Sequence, residues 1–199
     1  MLQRFFICLL TISLSFPTIS QQDKIDSIYK VFPDLSNDSL RILALTNLSK
    51  QYQELDTSYS IDSALSTIKR SYELAIKKRN HKISNSPFFT YSRLNISINN
   101  YDLALKILLK YLDISRSTKN INWEAEALDN IIRLFKIIDD DERENEYMYQ
   151  LKNVVEKMER SSSKAAYLNS LGNYYAFKQF DPEKQIDSSL YFHKKALSI

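Results

Sequence analysis

Glycine and proline are scarce in this sequence. One glycine, Gly172, and four prolines occur among 199 residues. Strand-rich domains need glycine or Asn-Gly at many tight turns, and dinucleotide- and phosphate-binding loops need several closely spaced glycines. These folds are therefore excluded. Because hydrophobic residues make up 44% of the chain and charged residues 26%, the composition is that of a folded protein, and we predict an all-α fold.

Cysteine is just as scarce, since Cys8 is the only one. It lies in a segment typical of a secretory signal peptide, with Arg4, the apolar run Phe5–Phe16 and small residues up to Ser20. This run of twelve residues is shorter than the roughly 20 apolar residues that span a bilayer, so a membrane anchor is the less favoured alternative. We expect cleavage near Ser20 and a periplasmic mature chain without thiols, which excludes disulfides, zinc–thiolate sites and cysteine catalysis.

Charge and histidine content give no sign of catalysis or nucleic-acid binding. The formal net charge is +3, which is too small to indicate a nucleic-acid partner. The two histidines, His81 and His193, have no nearby pattern of ligand or triad residues. Acidic residues in 139–146 precede a predicted helix, where the helix dipole favours negative charge. We therefore expect no enzyme activity, no catalytic residues, no metal site and no cofactor.

The sequence repeats with a period of forty residues, which is typical of helical repeat proteins. Three positions recur in three successive copies: Phe88, Leu128 and Leu168; Tyr91, Ile131 and Leu171; Asn95, Phe135 and Tyr175. An earlier copy begins at Leu45, and apolar residues within each copy recur at steps of three and four, as in amphipathic helices. We predict a signal peptide at 1–20, a short helix and linker at 21–39, and two-helix units at about 40–82, 85–121, 122–160 and 163–199.

Residues that favour helix starts and helix contacts agree with this division. Asn122 and Ser163 are placed to cap the first helices of the third and fourth units. One position inside the first helix is Ile132 in the third unit and small in the other three, as Ser49, Ser92 and Gly172. A small residue there predicts a close approach of the paired helix.

This pattern resembles the tetratricopeptide repeat (TPR), whose first helix carries an aromatic residue or Leu, then Leu, a small residue and Tyr, and whose second carries Ala, an aromatic residue and Ala. The fourth unit fills these places with Leu168, Leu171, Gly172, Tyr175, Ser189, His193 and Ala196. The third unit departs from the pattern with Glu144 at an expected Ala. The resemblance implies a helical-hairpin repeat solenoid, a right-handed superhelix of about four repeats that binds proteins or peptides. A helical bundle is the alternative.

The order of segments is similar to the exported TPR input region of bacterial membrane-bound regulators, which precedes a transmembrane helix and a histidine kinase or DNA-binding domain. This resemblance implies the periplasmic sensing or scaffolding region of a signalling or transcription regulator; the alternative is a free-standing periplasmic adapter for protein assembly. The copy that begins at Ser189 ends ten residues later at Ile199. We therefore expect a truncated last repeat, with membrane contact only through a missing downstream segment.

Candidate binding residues lie one step beyond the core stripe of each first helix, rotated by about 100° toward the concave face of such an array. This row is Lys50, Arg93, Arg133 and Asn173. Neighbouring rows are Thr46, Phe89, Asp129 and Asn169, and Gln53, Ile96, Lys136 and Ala176. From these rows the candidate groove residues are Lys50, Arg93, Arg133, Asn173, Phe89, Asn169, Gln53 and Lys136.

The partner expected for this row is a protein or peptide with an anionic extended segment, such as an acidic peptide or a C-terminal carboxylate. Cationic side chains and amides would hold it through charge-assisted hydrogen bonds. The row does not match the carboxylate clamp of chaperone-binding repeats. The alternative is that these cations are ordinary solvated side chains on exposed helix faces.

Overall fold

The computed structural model describes residues 21–35, 37–55, 58–78, 86–177 and 182–199, so the predicted signal peptide at 1–20 lies outside the described residues. Within these ranges the chain forms helices and no strands. They are α1 (Gln21–Val31), a 3-10 turn (Phe32–Asp34), α2 (Asp38–Gln53), α3 (Ser58–Lys78), α4 (Ser86–Ser97), α5 (Tyr101–Ser117), α6 (Ile121–Ile137), α7 (Asp141–Lys157), α8 (Ser162–Phe177) and α9 (Pro182–Leu197). None of the described helices combines the length and apolar character that crossing a membrane requires.

Successive helices pair into hairpins. α2 packs on α3, α6 on α7, and α8 on α9, and α4 meets α5 through the rings of Phe88 and Tyr111, whose centroids are 5.0 Å apart. The chain divides into two compact units, Met1–Pro87 and Phe88–Ile199. The first contains α1 and the α2–α3 hairpin, and the second contains nearly all of α4 and the helices that follow it.

In the N-terminal unit, buried hydroxyl groups join α2 to α3. The Ser49 hydroxyl donates to the Ala64 carbonyl at 2.8 Å. The hydroxyls of Thr46 and Ser71 lie 2.9 Å apart, and both reach the Ile42 carbonyl, at 2.8 and 2.9 Å. Because Ala64 and Ser71 belong to α3 and the other three to α2, these bonds hold the two helices in close contact.

Helix α1 covers part of α2 in the same unit. Ile25 of α1 is buried, and the hydroxyls of Tyr29 and Tyr52 lie 3.1 Å apart. Burial, followed by the Tyr29 hydrogen bond, raises the pKa of Tyr52 to about 12. The Tyr52 hydroxyl therefore stays protonated at neutral pH and supports the contact between α1 and α2.

Three turns of the C-terminal unit share one geometry and follow each other at intervals of twenty residues. Their left-handed residues are Asn99, Lys119 and Asp139, with φ of 60°, 55° and 58°. In each turn the next amide reaches five residues back: Asn100 to Asn95 at 2.8 Å, Asn120 to Ser115 at 2.9 Å and Asp140 to Phe135 at 2.9 Å. This is the Schellman ending, in which glycine is the usual left-handed residue. The chain thus makes tight helix connections without glycine.

The same turns fix where the next helices begin. The Asn120 side chain accepts a hydrogen bond from the amide three residues on, at 3.2 Å, and caps α6. The prediction that Asn122 caps this helix is wrong, because the turn ends at Asn120 and leaves Asn122 inside the helix. The prediction for Ser163 is also wrong, since α8 begins at Ser162 and the Ser161 hydroxyl accepts from the amide three residues on, at 3.2 Å.

The forty-residue period marks the core of the C-terminal unit. Of the nine repeated positions, eight are buried and Tyr175 is half-buried. At the position predicted to be small, a Cβ atom on Gly172 would lie 2.7 Å from the His193 ring, so a larger residue there would require this ring to move. Ile132 is nevertheless buried at the equivalent position, and the unusual Glu144 is only 5% exposed.

Candidate binding surface

Three predicted groove residues occupy one position in three successive first helices of the C-terminal unit. Arg93 lies on α4, Arg133 on α6 and Asn173 on α8, and all three are exposed. The residue before each of them is buried, as Ser92, Ile132 and Gly172. Each of the three side chains therefore starts at the edge of the core and extends into solvent.

Arg133 is paired within its own helix. Its Nε atom lies 2.9 Å from Oδ2 of Asp129, one turn earlier. The Arg133 side chain is 67% exposed and that of Asp129 14%. Because the guanidinium carries five N–H donors and this ion pair engages Nε, a ligand can still bind at the Nη groups. The i,i+4 spacing would have revealed this pair in the sequence, where Asp129 was assigned only to a neighbouring row.

Tyr167 of α8 lies in the electrostatic field of the same region. Burial raises the pKa of Tyr167 far above its usual value, the carboxylates of Glu126 and Asp129 raise it further, and Arg133 lowers it. The hydroxyl is therefore a hydrogen-bond donor at any physiological pH. This surface combines two carboxylates with one guanidinium, so it is less cationic than the row of cations in the sequence indicates.

Phe89 belongs to a cluster of aromatic rings. Its centroid lies 5.1 Å from that of Tyr111 in an edge-to-face arrangement at 83°, and Tyr111 lies 6.0 Å from Trp123. Tyr111 is buried, whereas Phe89 and Trp123 are half-buried. Parts of these two rings thus reach the surface. Trp123 is not among the residues predicted from the sequence; the signal was the bulk of Tyr111 at a position where the repeat pattern has a small residue.

Asn169 is held by the helix that pairs with its own. Its Oδ1 atom lies 3.1 Å from Nδ1 of His193, and the His193 ring covers Gly172. Asn169 and Lys136 are both exposed. His193, which the repeat pattern predicts to be a core residue, therefore positions one of the predicted groove residues.

The remaining two candidates, Lys50 and Gln53, belong to the N-terminal unit. Both are half-buried, and the Gln53 side chain donates to the Ser49 carbonyl at 3.3 Å. Thr46, placed in a neighbouring row by the sequence, is only 1% exposed because its hydroxyl contacts Ser71 across the hairpin. Two of the eight candidates therefore belong to the N-terminal unit and six to the C-terminal unit.

In the described part of the chain, no three His, Cys, Asp or Glu side chains lie close enough together to hold a metal ion. The candidate residues present exposed hydrogen-bond donors at Arg93, Arg133 and Asn173 and a half-buried aromatic ring at Phe89.

Among known proteins, similarity is found at the level of structure. No protein-family model matches this chain, and no curated protein matches it. A solved structure described as the nearly identical TPR-like repeats of a putative kinesin light chain from Podosopora anserina has a TM-score of 0.60 and 13% identity, covering 89% of this chain and 86% of that one. A point-substituted form of the same repeats has the same TM-score and identity, with 89% and 85% covered.

The fold is a TPR-like helical-hairpin repeat. This confirms the predicted all-α class and the repeat, and it removes the single-bundle alternative. A TPR-like repeat fold is typically a non-enzymatic scaffold that mediates protein–protein interactions. At 13% identity, the likeness describes the fold alone.

Proposed function

We propose that this protein is a peptide-binding module and that the C-terminal unit binds an extended segment with an acidic residue. The observation that carries the proposal is the exposure of Arg93, Arg133 and Asn173 at one position of three first helices, each beside a buried neighbour. Repeat proteins of this kind bind ligands along their successive first helices. Cationic and amide side chains there suit a carboxylate, since charge-assisted hydrogen bonds are the strong ones.

The charges around Arg133 limit the kind of acidic segment that this surface can bind. Asp129 lies 2.9 Å from the guanidinium, and the carboxylates of Glu126 and Asp129 both raise the pKa of Tyr167, which Arg133 lowers. A run of consecutive acidic residues would be repelled there, because like charges at short range cost binding energy. We therefore expect a segment with one or two separated acidic residues and an apolar side chain against the exposed part of Phe89.

A charge-reversal experiment tests this proposal. The probe is a short fluorescein-labelled peptide with two separated glutamates among leucines, and the comparison peptide has lysines in their place. The double variant R93E/R133E should weaken binding of the glutamate peptide by more than about tenfold. The matched control is K106E/K110E, which makes the same charge change at exposed positions of the second helix α5 and should leave affinity unchanged. Equal affinities of all three proteins, or of both peptides, would contradict the proposal.

The setting that we propose for this module is the periplasm, as the sensing or scaffolding region of a membrane-bound signalling or transcription regulator. Support comes from the signal-like residues 1–20 and from the order of segments that resembles such input regions. The alternative is a free-standing periplasmic adapter. Cell fractionation separates them, because a regulator stays with the membrane fraction after osmotic shock and an adapter is released. Retention in the cytoplasm with residues 1–20 uncleaved would contradict both.

A further inference from the structure

A pocket opens in the N-terminal unit between the 3-10 turn, α2 and α3. Its volume is about 370 Å³, at the small end of the range for ligand sites. The lining residues are Phe32, Arg41, Leu45, Arg70, Glu73, Leu74 and Lys77. None of them belongs to the candidate groove rows, so the pocket is a separate site.

Helical spacing brings the polar groups of the pocket together. Arg70, Glu73 and Lys77 follow each other on α3 at steps of three and four, which places them on one face of that helix. Arg41 is one turn from Leu45 on α2. Leu45 is 5% exposed and forms an apolar base, and Phe32 closes the third side from the 3-10 turn.

The lining carries three cationic side chains and one carboxylate. Arg41 is oriented by a hydrogen bond from its Nε to the Leu35 carbonyl at 2.6 Å, which leaves its Nη groups for another partner. Within the described residues, no ion pair engages Arg70, Glu73 or Lys77. The positive charge of this pocket is therefore not neutralised by ion pairs in the described chain.

Helix-end effects account for only one of these cations. Lys77 lies near the C-terminal end of α3, where the helix dipole favours positive charge. Arg70 lies two turns earlier, and Arg41 lies near the N-terminal end of α2, where the dipole disfavours a cation. Arg41 is held at that end by the Leu35 carbonyl, and with Arg70 and Lys77 it gives the lining two more positive than negative charges.

We propose that this pocket binds a small organic carboxylate with an aliphatic or aromatic body. Two guanidinium groups suit a carboxylate because their planar N–H donors match its two oxygens. The apolar body packs against Phe32 and Leu74 above Leu45. Glu73 disfavours ligands with more than one negative charge, since like charges repel at short range.

Isothermal titration of the full chain with four probes tests the proposal. Octanoate carries both features, acetate lacks the apolar body, 1-octanol lacks the charge, and inorganic phosphate is a multiply charged anion without an apolar part. We expect saturable binding of octanoate, at least about tenfold tighter than that of any other probe. Methyl NMR signals of Leu45 and Leu74 should shift only with octanoate. Octanol binding as tightly as octanoate, or phosphate binding in its place, would overturn the assignment.

Variants locate the site and separate it from loss of folding. R70Q/K77Q should weaken octanoate binding by about tenfold or more, whereas K69Q, at an exposed position outside the pocket, should not. Glu73→Gln should tighten binding, a direction that misfolding cannot produce. R93E/R133E should leave octanoate binding intact even if it abolishes peptide binding, so the two proposals fail independently. Unchanged octanoate affinity in R70Q/K77Q, or weaker binding in Glu73→Gln, refutes the pocket assignment.

Discussion

Ser71 in the N-terminal unit and Tyr111 in the C-terminal unit occupy equivalent positions, forty residues apart, in the second helix of a hairpin. The Ser71 hydroxyl bonds across the hairpin to the Ile42 carbonyl at 2.9 Å. Tyr111 instead packs its ring between Phe88 and Phe89, with centroids 5.0 and 5.1 Å away. The same helix contact is therefore made by a hydrogen bond in one unit and by aromatic packing in the other.

The equivalent serines of the first helices differ in the same way. Ser49 donates across the hairpin to the Ala64 carbonyl at 2.8 Å, whereas Ser92 donates to Phe89 of its own helix at 3.1 Å. Both side chains are buried. A small residue therefore stands at this position in both hairpins, but only the Ser49 hydroxyl forms a hydrogen bond between the paired helices.

The largest effect on stability is expected from replacing Tyr111 with serine, the residue at the equivalent position of the N-terminal unit. Tyr111→Ser gives the C-terminal unit the serine of the N-terminal unit, but it leaves a cavity among the aromatic rings. By analogy with other deletions of large buried side chains, we expect a loss of about 3–5 kcal/mol in the free energy of unfolding. Denaturant unfolding measures the loss, and hydrogen exchange assigns it to residues 88–199.

The matched control is Tyr149→Ser, which removes a tyrosine that is 66% exposed and should change stability by less than about 0.5 kcal/mol. If both variants lose the same stability, the ring cluster around Tyr111 does not hold α4 to α5. Loss of protection in the N-terminal unit alone would also contradict the comparison.

Smaller losses of stability are expected when Ser49 or Ser92 is replaced by alanine. Ser49→Ala removes a buried hydrogen bond between helices and should cost about 1 kcal/mol. Ser92→Ala removes only a bond within α4 and should cost less than about 0.5 kcal/mol, because alanine is the better helix former. The two variants, compared by denaturant unfolding under identical conditions, should rank in this order. A greater loss in Ser92→Ala would reverse the roles that we assign to the two serines.

A substitution in one turn of the C-terminal unit should increase the stability of the protein. Lys119 has φ of 55°, a conformation that costs a residue with a Cβ about 1 kcal/mol relative to glycine. Lys119→Gly should therefore raise the free energy of unfolding by up to about 1 kcal/mol, offset in part by the greater entropy of an unfolded glycine. Lys119→Ala serves as the control and should give no gain, since alanine keeps the Cβ.

Much of the fold could be predicted from the sequence because the positions that repeat are mostly the positions that are buried. The forty-residue period gave the paired helices and eight buried positions of nine, with only Tyr175 half-buried. The turns could not be predicted in the same way, because glycine is the usual sign of a left-handed residue and Asn, Lys or Asp takes its place here. That difference also explains the displaced cap of α6, since the turn geometry sets the helix start at Asn120 and not at Asn122.

The candidate surface could be predicted only in part. Helical rotation identified Arg93, Arg133 and Asn173 as one step beyond the core, and these side chains are exposed. Contacts between distant segments carry no such period, so the link between Asn169 and His193 was missed. The pocket of the N-terminal unit was missed for the same reason, because its lining comes from three elements between Phe32 and Lys77 and does not repeat.

The smallest effect at neutral pH is expected at the contact between α1 and α2. Tyr52→Phe removes one hydroxyl contact, with Tyr29 near the surface, and should change stability by less than about 0.5 kcal/mol at pH 7. At alkaline pH the difference in stability between the wild-type protein and Tyr52→Phe should increase. The pKa of Tyr52 is raised to about 12, against an ordinary value of 10.0, so the folded state favours the neutral phenol.

The sign of this pH effect follows from linkage. The contribution of Tyr52 is fully present below pH 10, where the tyrosine is neutral in both states, and it is lost as the pH rises toward about 12. The wild-type protein should therefore lose stability more steeply than Tyr52→Phe across this interval, as measured by denaturant unfolding at several alkaline pH values. Other tyrosines titrate in both proteins, and the difference between the two curves isolates Tyr52. Parallel curves would mean that neither burial nor the Tyr29 hydrogen bond raises the pKa of Tyr52 in the folded state.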